Sequence, residues 1–499
     1  MNLSSTLNIA QSALATNAAL TSVVSRNIAG VNDPGYSRKI AAVGTVLNGA
    51  GSIVSITRAS DSALFTNLLS ATSDAAAGTA LADGLDKLEQ TVGLSTSTSS
   101  SGSSTAGSTS PAALLSKLTG ALQQYQAAPS DTTAGQAVVT AAKTLASALN
   151  SASTTVQDVR SQADAAIATA VTDVNGILQS FKTVNADILK AQATGTDATD
   201  LLDQRDALLL SLSKDLGIST VPTADGGMSI YTDGGVTLFQ GTPRTVTFTP
   251  TASFADGTMG NALMIDGVSV TGASAVMPLK SGSIAGLVQL RDTTTVAYQN
   301  QLNQIASGLV GTFSESDQTG GSAPTIPGLF TYAGASGMPA PGQTGLATTL
   351  TVNANVDPSQ GGSLSRLRDG NIGAPNNAAY NGNPSGAAGY TGRLSTLLAN
   401  LDASEIFDPA SGGAAQGTLA AYAASSVSWL EASRKAATDT ADSRNAVVSQ
   451  TSSTLSSKTG VNLDEQLSMM LDLEHSYQAS AELMSTVKTM YATLISAMQ

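Results

Sequence analysis

Cysteine is absent from the sequence, and histidine occurs once, as His475. The first absence excludes disulfides and thiolate chemistry. Together the two remove the ligands that structural and catalytic zinc sites draw on, which need several His or Cys. Carboxylate-rich loops with the spacing of a helix–loop–helix calcium site are missing as well. Aromatic residues make up 4% of the 499 positions and charged residues 12%. Lys and Arg number 23 against 36 Asp and Glu, a net charge of −13 that argues against nucleic acid and anionic membrane surfaces as partners. No segment approaches the ~20 consecutive apolar residues of a membrane span, so no membrane insertion is expected. The first charged residue is Arg26, and polar residues interrupt the apolar ones before it, which is not the pattern of a cleaved secretory signal.

Candidate chemistry is equally sparse. Gly102 and Gly107 have the spacing of a phosphate-binding loop, but no lysine follows them. Asp203, Arg205 and Asp206 could suggest a carboxylate cluster; on a helix Asp203 and Asp206 share a face, and an ion-pair network or a subunit contact is the simpler reading. Trp429 is expected as a core residue or an interface anchor, and His475 as a surface or subunit-contact residue. The expected lists of catalytic, metal-binding and cofactor-binding residues are therefore empty, and no cofactor is expected.

What the sequence does contain is long-range periodicity. Leu463, Gln466, Met470, Leu473, Tyr477, Ser480, Met484, Val487, Tyr491, Leu494 and Met498 recur at alternating spacings of three and four, the signature of a coiled-coil seam. Leu467, Met469, Leu471, Leu483, Met490 and Ile495 lie off that line, so the apolar surface is wider than one partner helix covers. At the other end Leu3, Leu7, Ala10, Leu14, Asn17, Thr21, Val24 and Ile28 repeat the spacing with smaller residues. Both ends thus read as long helices of matching pattern, expected to pack together and then against other subunits. The residues assigned to that subunit interface are Leu3, Leu7, Leu14, Val24, Ile28, Met470, Leu473, Tyr477, Met484, Val487, Tyr491, Leu494 and Met498.

The first helix is expected to end at Ala29–Gly30, with Gly30 taking a left-handed cap. Residues 37–60 read as extended and irregular, and 61–92 as helical. The Ser/Thr/Gly/Ala stretch 94–110 reads as a flexible linker or loop. Helices are expected at 111–127, 132–160, 161–194 and 199–215, with Asp131 and Asp164 near starts. Asp225-Gly226-Gly227 and Asp233-Gly234-Gly235 mark hairpins around a strand at Met228–Tyr231, continued by 236–239 and 244–249. Helix returns at 283–313 and, after a loop-rich, partly β stretch with a strand near Leu350, from about 413 to 457. The fold class is mainly α with β insertions: paired terminal coiled-coil helices, a central helical bundle and smaller β-rich units. The domains expected are a terminal helical unit (1–60 and 460–499), a bundle (61–217, 283–315 and 400–459), a small β unit (218–282) and a loop-rich insert (316–399).

Four stretches carry a family resemblance. Arg26-Asn27-Ile28-Ala29 leading into Asp33-Pro34-Gly35-Tyr36-Ser37-Arg38 resembles the N-terminal signature of bacterial flagellar axial proteins, with Gly30 and Asp33 departing from the usual Ile-Ala-Asn and Thr-Pro-Gly-Tyr. Leu201-Leu202-Asp203-Gln204-Arg205-Asp206, Val288 to Leu302, and Gly460–Glu465 with Tyr477–Ala481 narrow the resemblance to the hook–filament junction family within that group. The resemblance implies a structural adaptor, not an enzyme, joining hook to filament by self-assembly of its terminal helices. It implies as partners further copies of the chain, the hook protein, the second junction protein and an export chaperone on the C-terminal helix. It also implies an extracellular place in the flagellum, reached by type III export without a cleaved signal peptide. Rival readings are another axial protein of hook or filament type, and a secreted adhesin binding through 316–399. Terminal helices with so much apolar surface are expected to gain order on assembly.

Overall fold

The computed structural model describes residues 3–46, 50–89, 91 and 109–497; the linker expected at 94–110 lies outside these except for its last two residues. Helix α1 (Leu3–Ala29) leads into an antiparallel hairpin, β1 (Lys39–Val46) and β2 (Ala50–Arg58). The segment expected to be extended and irregular at 37–60 is thus largely a two-stranded ribbon, its register shifted between Ala42 and Val43. Helices α2 (Ser62–Glu89), α3 (Pro111–Ala127), α4 (Thr132–Thr194) and α5 (Thr199–Asp215) follow.

α4 runs unbroken for 63 residues, about 95 Å at 1.5 Å per residue, where a break near 160 was expected. Asp131 caps its start, accepting from Thr133 N at 2.7 Å, and Gly195 at φ 68° ends it. The reason for its continuity is a stripe of buried residues that never loses step: Val138, Leu145, Leu149, Val156, Ile167, Val174, Leu178 and Ile188. Asp164 does not start a helix; it sits buried in mid-helix, bonded to Arg291.

Strands β3 (Ile218–Pro222), β4 (Met228–Thr232) and β5 (Thr237–Gln240) form an antiparallel meander. Its turns carry Gly226 at φ 90° and Gly235 at φ 94°, left-handed positions that a Cβ would strain. Val246–Thr247 does not extend this sheet; it pairs with Met264–Ile265 in a second, three-stranded one. The helix expected at 283–313 is α6 (Ser283–Gln289), a π turn at Leu290–Thr294, and α7 (Thr295–Thr312). Thr295 N donates to the Leu290 carbonyl across the widened turn, and Thr295 Oγ1 donates to the Leu290 and Arg291 carbonyls. Short helices α8 (Leu346–Thr349), α9 (Ser365–Asp369) and α10 (Gly392–Leu401) precede α11 (Leu419–Thr459) and α12 (Leu463–Ala497).

Two cores meet along α4. The first gathers α2, α3, the N-terminal half of α4, α7, α10 and α11; the second joins the C-terminal half of α4 to α5 and the β unit. Leu329, Phe330, Leu346, Leu350, Val356, Leu367 and Ile372 belong to the first core. The 316–399 stretch therefore packs into the bundle and has no separate core. The chain is mainly α with small β insertions, as the periodicity implied. Among the described residues no helix is long and apolar enough to cross a membrane, and no cluster of acidic or histidine side chains could hold a metal ion.

Candidate assembly surface

Asn462 starts α12, its side chain accepting from Asp464 N at 3.0 Å after α11 ends at Gly460. α12 then lies antiparallel to α1, because Asn27 bonds Gln466 at 2.9 Å and Asn17 bonds Ser476 at 2.9 Å, ten residues along each helix. The two therefore form one rod from opposite ends of the chain. Polar seam residues set its register, a recognised device for fixing helix pairing.

Asn27 is the most fully engaged of them. Its Nδ2 donates to Gln466 Oε1 and to the Lys39 carbonyl at 3.0 Å. Its Oδ1 accepts from Lys39 N at 2.8 Å and from the Tyr36 hydroxyl at 3.0 Å. All four of its bonding positions are filled, and both Asn27 and Gln466 are 2% exposed. The turn between α1 and β1 is held against the same point. Gly30 takes no left-handed cap there. Glycine is required because a Cβ would stand 2.5 Å from the Tyr36 ring. Burial pushes the Tyr36 hydroxyl up to about 12, and Arg38 N donates to Thr459 O at 2.8 Å, tying the turn to the end of α11.

A cluster of ion pairs then fastens α1 and the hairpin to α5. Arg26 reaches Asp197 at 2.9 Å and Asp200 at 2.8 Å. Arg58 bridges Asp203 at 2.8 Å and Asp206 at 2.6 Å. The fully buried Lys39 ammonium pairs with Asp203 and donates to Thr199 O at 3.2 Å. Burial works against the Asp197 charge, but bonds from Thr199 and Arg26 outweigh it and hold its pKa below the ordinary value. Burial wins at Asp206, raising its pKa in spite of Arg58. Asp203 and Asp206 thus sit in an inter-element ion-pair network, which Arg205 does not join.

Of the residues singled out by periodicity, Val24 and Val487 are buried in the terminal rod. Leu7, Leu14, Ile28, Met470, Leu473, Met484 and Tyr491 are half-buried, whereas Tyr477 and Leu494 stay exposed. Leu3 opens α1, but its side chain, like the whole of Met498, lies outside the described residues. The seam is therefore largely closed within one chain. What remains open is its flank: Leu467, Met469, Leu471, Leu483, Met490 and Ile495 each expose between 44% and 58% of their surface. Patches of that kind mark contact sites in soluble proteins. His475 is exposed as well, and Trp429 is half-buried beside the α2–α11 packing.

Periodicity missed Asn27, Lys39 and Arg58 as positioning residues. The available signal was chemical: a polar Gln466 on an otherwise apolar seam implied a polar partner.

Residues 99–328 match the family described as the flagellar hook-associated protein FlgK helical domain. Residues 453–497 match the flagellar basal body rod FlgEFG protein C-terminal family. Flagellar hook-associated protein 1 of Escherichia coli K12 is 27% identical over 339 residues, 64% of this chain and 58% of that protein. The Salmonella typhimurium LT2 protein of the same name is 28% identical over 330 residues, 64% of this chain and 57% of its own. The matched region thus spans somewhat more than half of these relatives. A solved structure titled as the flagellar hook junction protein FlgK from Burkholderia pseudomallei superposes with a TM-score of 0.40 at 23% identity, over 54% of this chain and 47% of that one. With the helical domain matched in the middle and the axial C-terminal segment at its end, the chain is similar to the FlgK family of flagellar hook-associated proteins over 64% of its length.

Proposed function

We propose that the chain is a structural, non-catalytic axial component of the bacterial flagellum, an adaptor between hook and filament that assembles through its paired terminal helices. The single observation that carries the reading is the rod of α1 and α12, pinned at Asn27–Gln466 and left with an open apolar flank along most of α12. Burying an exposed Leu, Met or Ile contributes about 1.5–3 kcal/mol, and the same flank repeats on every copy. A contact from this flank to a different patch of the next copy is heterologous and continues along a helical array. The contact surface centres on the flank with Tyr477 and Leu494, and the half-buried seam residues Leu7, Leu14, Met470, Leu473, Met484 and Tyr491 support it from below. Hook protein, the second junction protein and an export chaperone on α12 are the partners this reading implies, at an extracellular site.

Hydrogen exchange tests it. In the dilute chain the amides of 463–497 should exchange far faster than those of α4, since among the described residues α12 packs chiefly on α1 and α4 is packed along its length. On incorporation into isolated hooks the same amides should become protected. Unchanged exchange of 463–497 after incorporation would remove the terminal helices from the contact.

A further inference from the structure

Among the described residues, one arginine beside the ion-pair cluster makes no ion pair. Arg205 exposes 9% of its surface, yet its Nε makes no hydrogen bond, and among the described residues no carboxylate pairs with it. Burial opposes its charge and lowers its pKa, with Asp206 pulling the other way. Its acidic neighbour Asp206 is already bonded to Arg58, so the buried guanidinium has room for a further counter-ion.

Arg205 lines an open cleft of about 470 Å³, within the size range of ligand sites. The cleft lies between the end of β2, the start of α2, strands β3 and β4, and the last turns of α11. The N-terminus of the 28-residue α2 opens into it through Ser62 and Ala63. Asp61 accepts from Leu64 N at 3.0 Å and its carbonyl from Phe65 N at 3.0 Å. The Ser62 and Ala63 amides are left without an acceptor among the described residues. Two independent sources of positive potential, a planar fork of donors and a helix N-terminus, therefore face one cavity. Phe65, Pro222, Met228 and Leu455 give it apolar walls, while Asp61 and Asp206 at its edge disfavour a doubly charged anion such as phosphate.

We propose that this cleft binds a carboxylate carried on a short apolar stem, seated on the Arg205 guanidinium with the Ser62 and Ala63 amides beside it. The inference is independent of the assembly reading. A single negative charge matches the Arg205 cation, and the planar carboxylate matches the fork. The stem lies against Phe65 and Met228.

Sodium butyrate is the probe, titrated into the full-length chain at constant ionic strength while the Ser62 and Ala63 amide resonances are followed by NMR. Saturable shifts are expected, with inorganic phosphate binding at least about tenfold more weakly. Arg205→Lys keeps the charge but loses the fork and should weaken butyrate at least about tenfold, and Arg205→Gln should abolish the shifts. Far-UV circular dichroism identifies any variant that fails to fold, and the lysine variant suffices alone. Absence of saturable shifts, equal affinity in wild type and Arg205→Lys, or tighter binding of phosphate would overturn the proposal. Sedimentation of the same samples assigns the source. If a neighbouring copy supplies the carboxylate, butyrate and Arg205→Lys both reduce self-association; if a free small molecule supplies it, self-association ignores both while the shifts persist.

Discussion

At the scale of single residues, the structure turns on polar groups that are buried and satisfied rather than on hydrophobic bulk. Asn27 joins α1, the turn, β1 and α12 through four hydrogen bonds. Asn27→Ala strands Gln466 and the Lys39 amide without partners, which should cost about 2–4 kcal/mol at ~1–3 per unsatisfied buried group. Urea denaturation measures the loss, and hydrogen exchange should place it at α1 and α12 rather than in α4. Asp203→Ala leaves the buried Lys39 ammonium with only the exposed Asp200, at 3.4 Å. A loss of about 2 kcal/mol is expected, below the 3–5 typical of a fully buried pair because that second carboxylate remains. None of this follows from spacing. Periodicity finds faces of helices, whereas Asn27, Lys39 and Arg58 act on residues more than a hundred positions away, a relation one sequence does not encode.

At the scale of elements, legibility followed the strength of the local signal. α5 was readable to the residue because Gly195 and Gly217 bracket a clear apolar period, and the β3–β4–β5 meander because Gly226 and Gly235 announce its turns. The expected break in α4 over-weighted Asp164 as a start signal. That carboxylate is satisfied tertiarily, by Arg291 at 2.5 Å and Thr251 N at 2.7 Å. Asp164→Ala should therefore destabilise the α4–α7 junction by about 3 kcal/mol, as removal of one partner from a buried pair does, measurable by urea denaturation. The 316–399 stretch reads as a loop-rich, partly β insert because its core residues are separated by glycine and proline turns. It is fastened by polar contacts as well, notably Asp357 to Lys143 at 2.5 Å. The Lys143 bond first, then those from Ser359 and Gln360, hold Asp357 down to about 2. Its folded pKa is depressed, so its contribution to stability is complete above the ordinary carboxylate pKa of ~3.9 and is lost as pH falls towards about 2. The difference in Tm between wild type and Asp357→Asn should be largest near pH 5 and shrink towards pH 2; a difference that grew with acid would contradict the assignment.

At the scale of the whole molecule, the chain is a two-core bundle with its two ends brought together as a separate rod. The matching periodicities of the ends announced that pairing, but not its division of labour. The seam itself is mostly used inside the chain, where Val24 and Val487 are buried, and the flank from Leu467 to Ile495 is what each copy presents to its surroundings. Substitutions in the flank should therefore spare the fold and affect assembly alone. Met484→Pro is a harsher test of the same element, since it removes a helical hydrogen bond and should break α12 while leaving α4 and the β unit folded.

The most direct measurement uses the double variant Leu471→Lys/Leu483→Lys, both sites being exposed in the free chain. Its abundance in purified hook–filament structures is compared with wild type after both are shown to share the same circular dichroism and Tm. An unchanged fold, little or no variant in the assembled structures, and filaments shed from persisting hooks are expected. Incorporation of the charged variant at the wild-type level would contradict it.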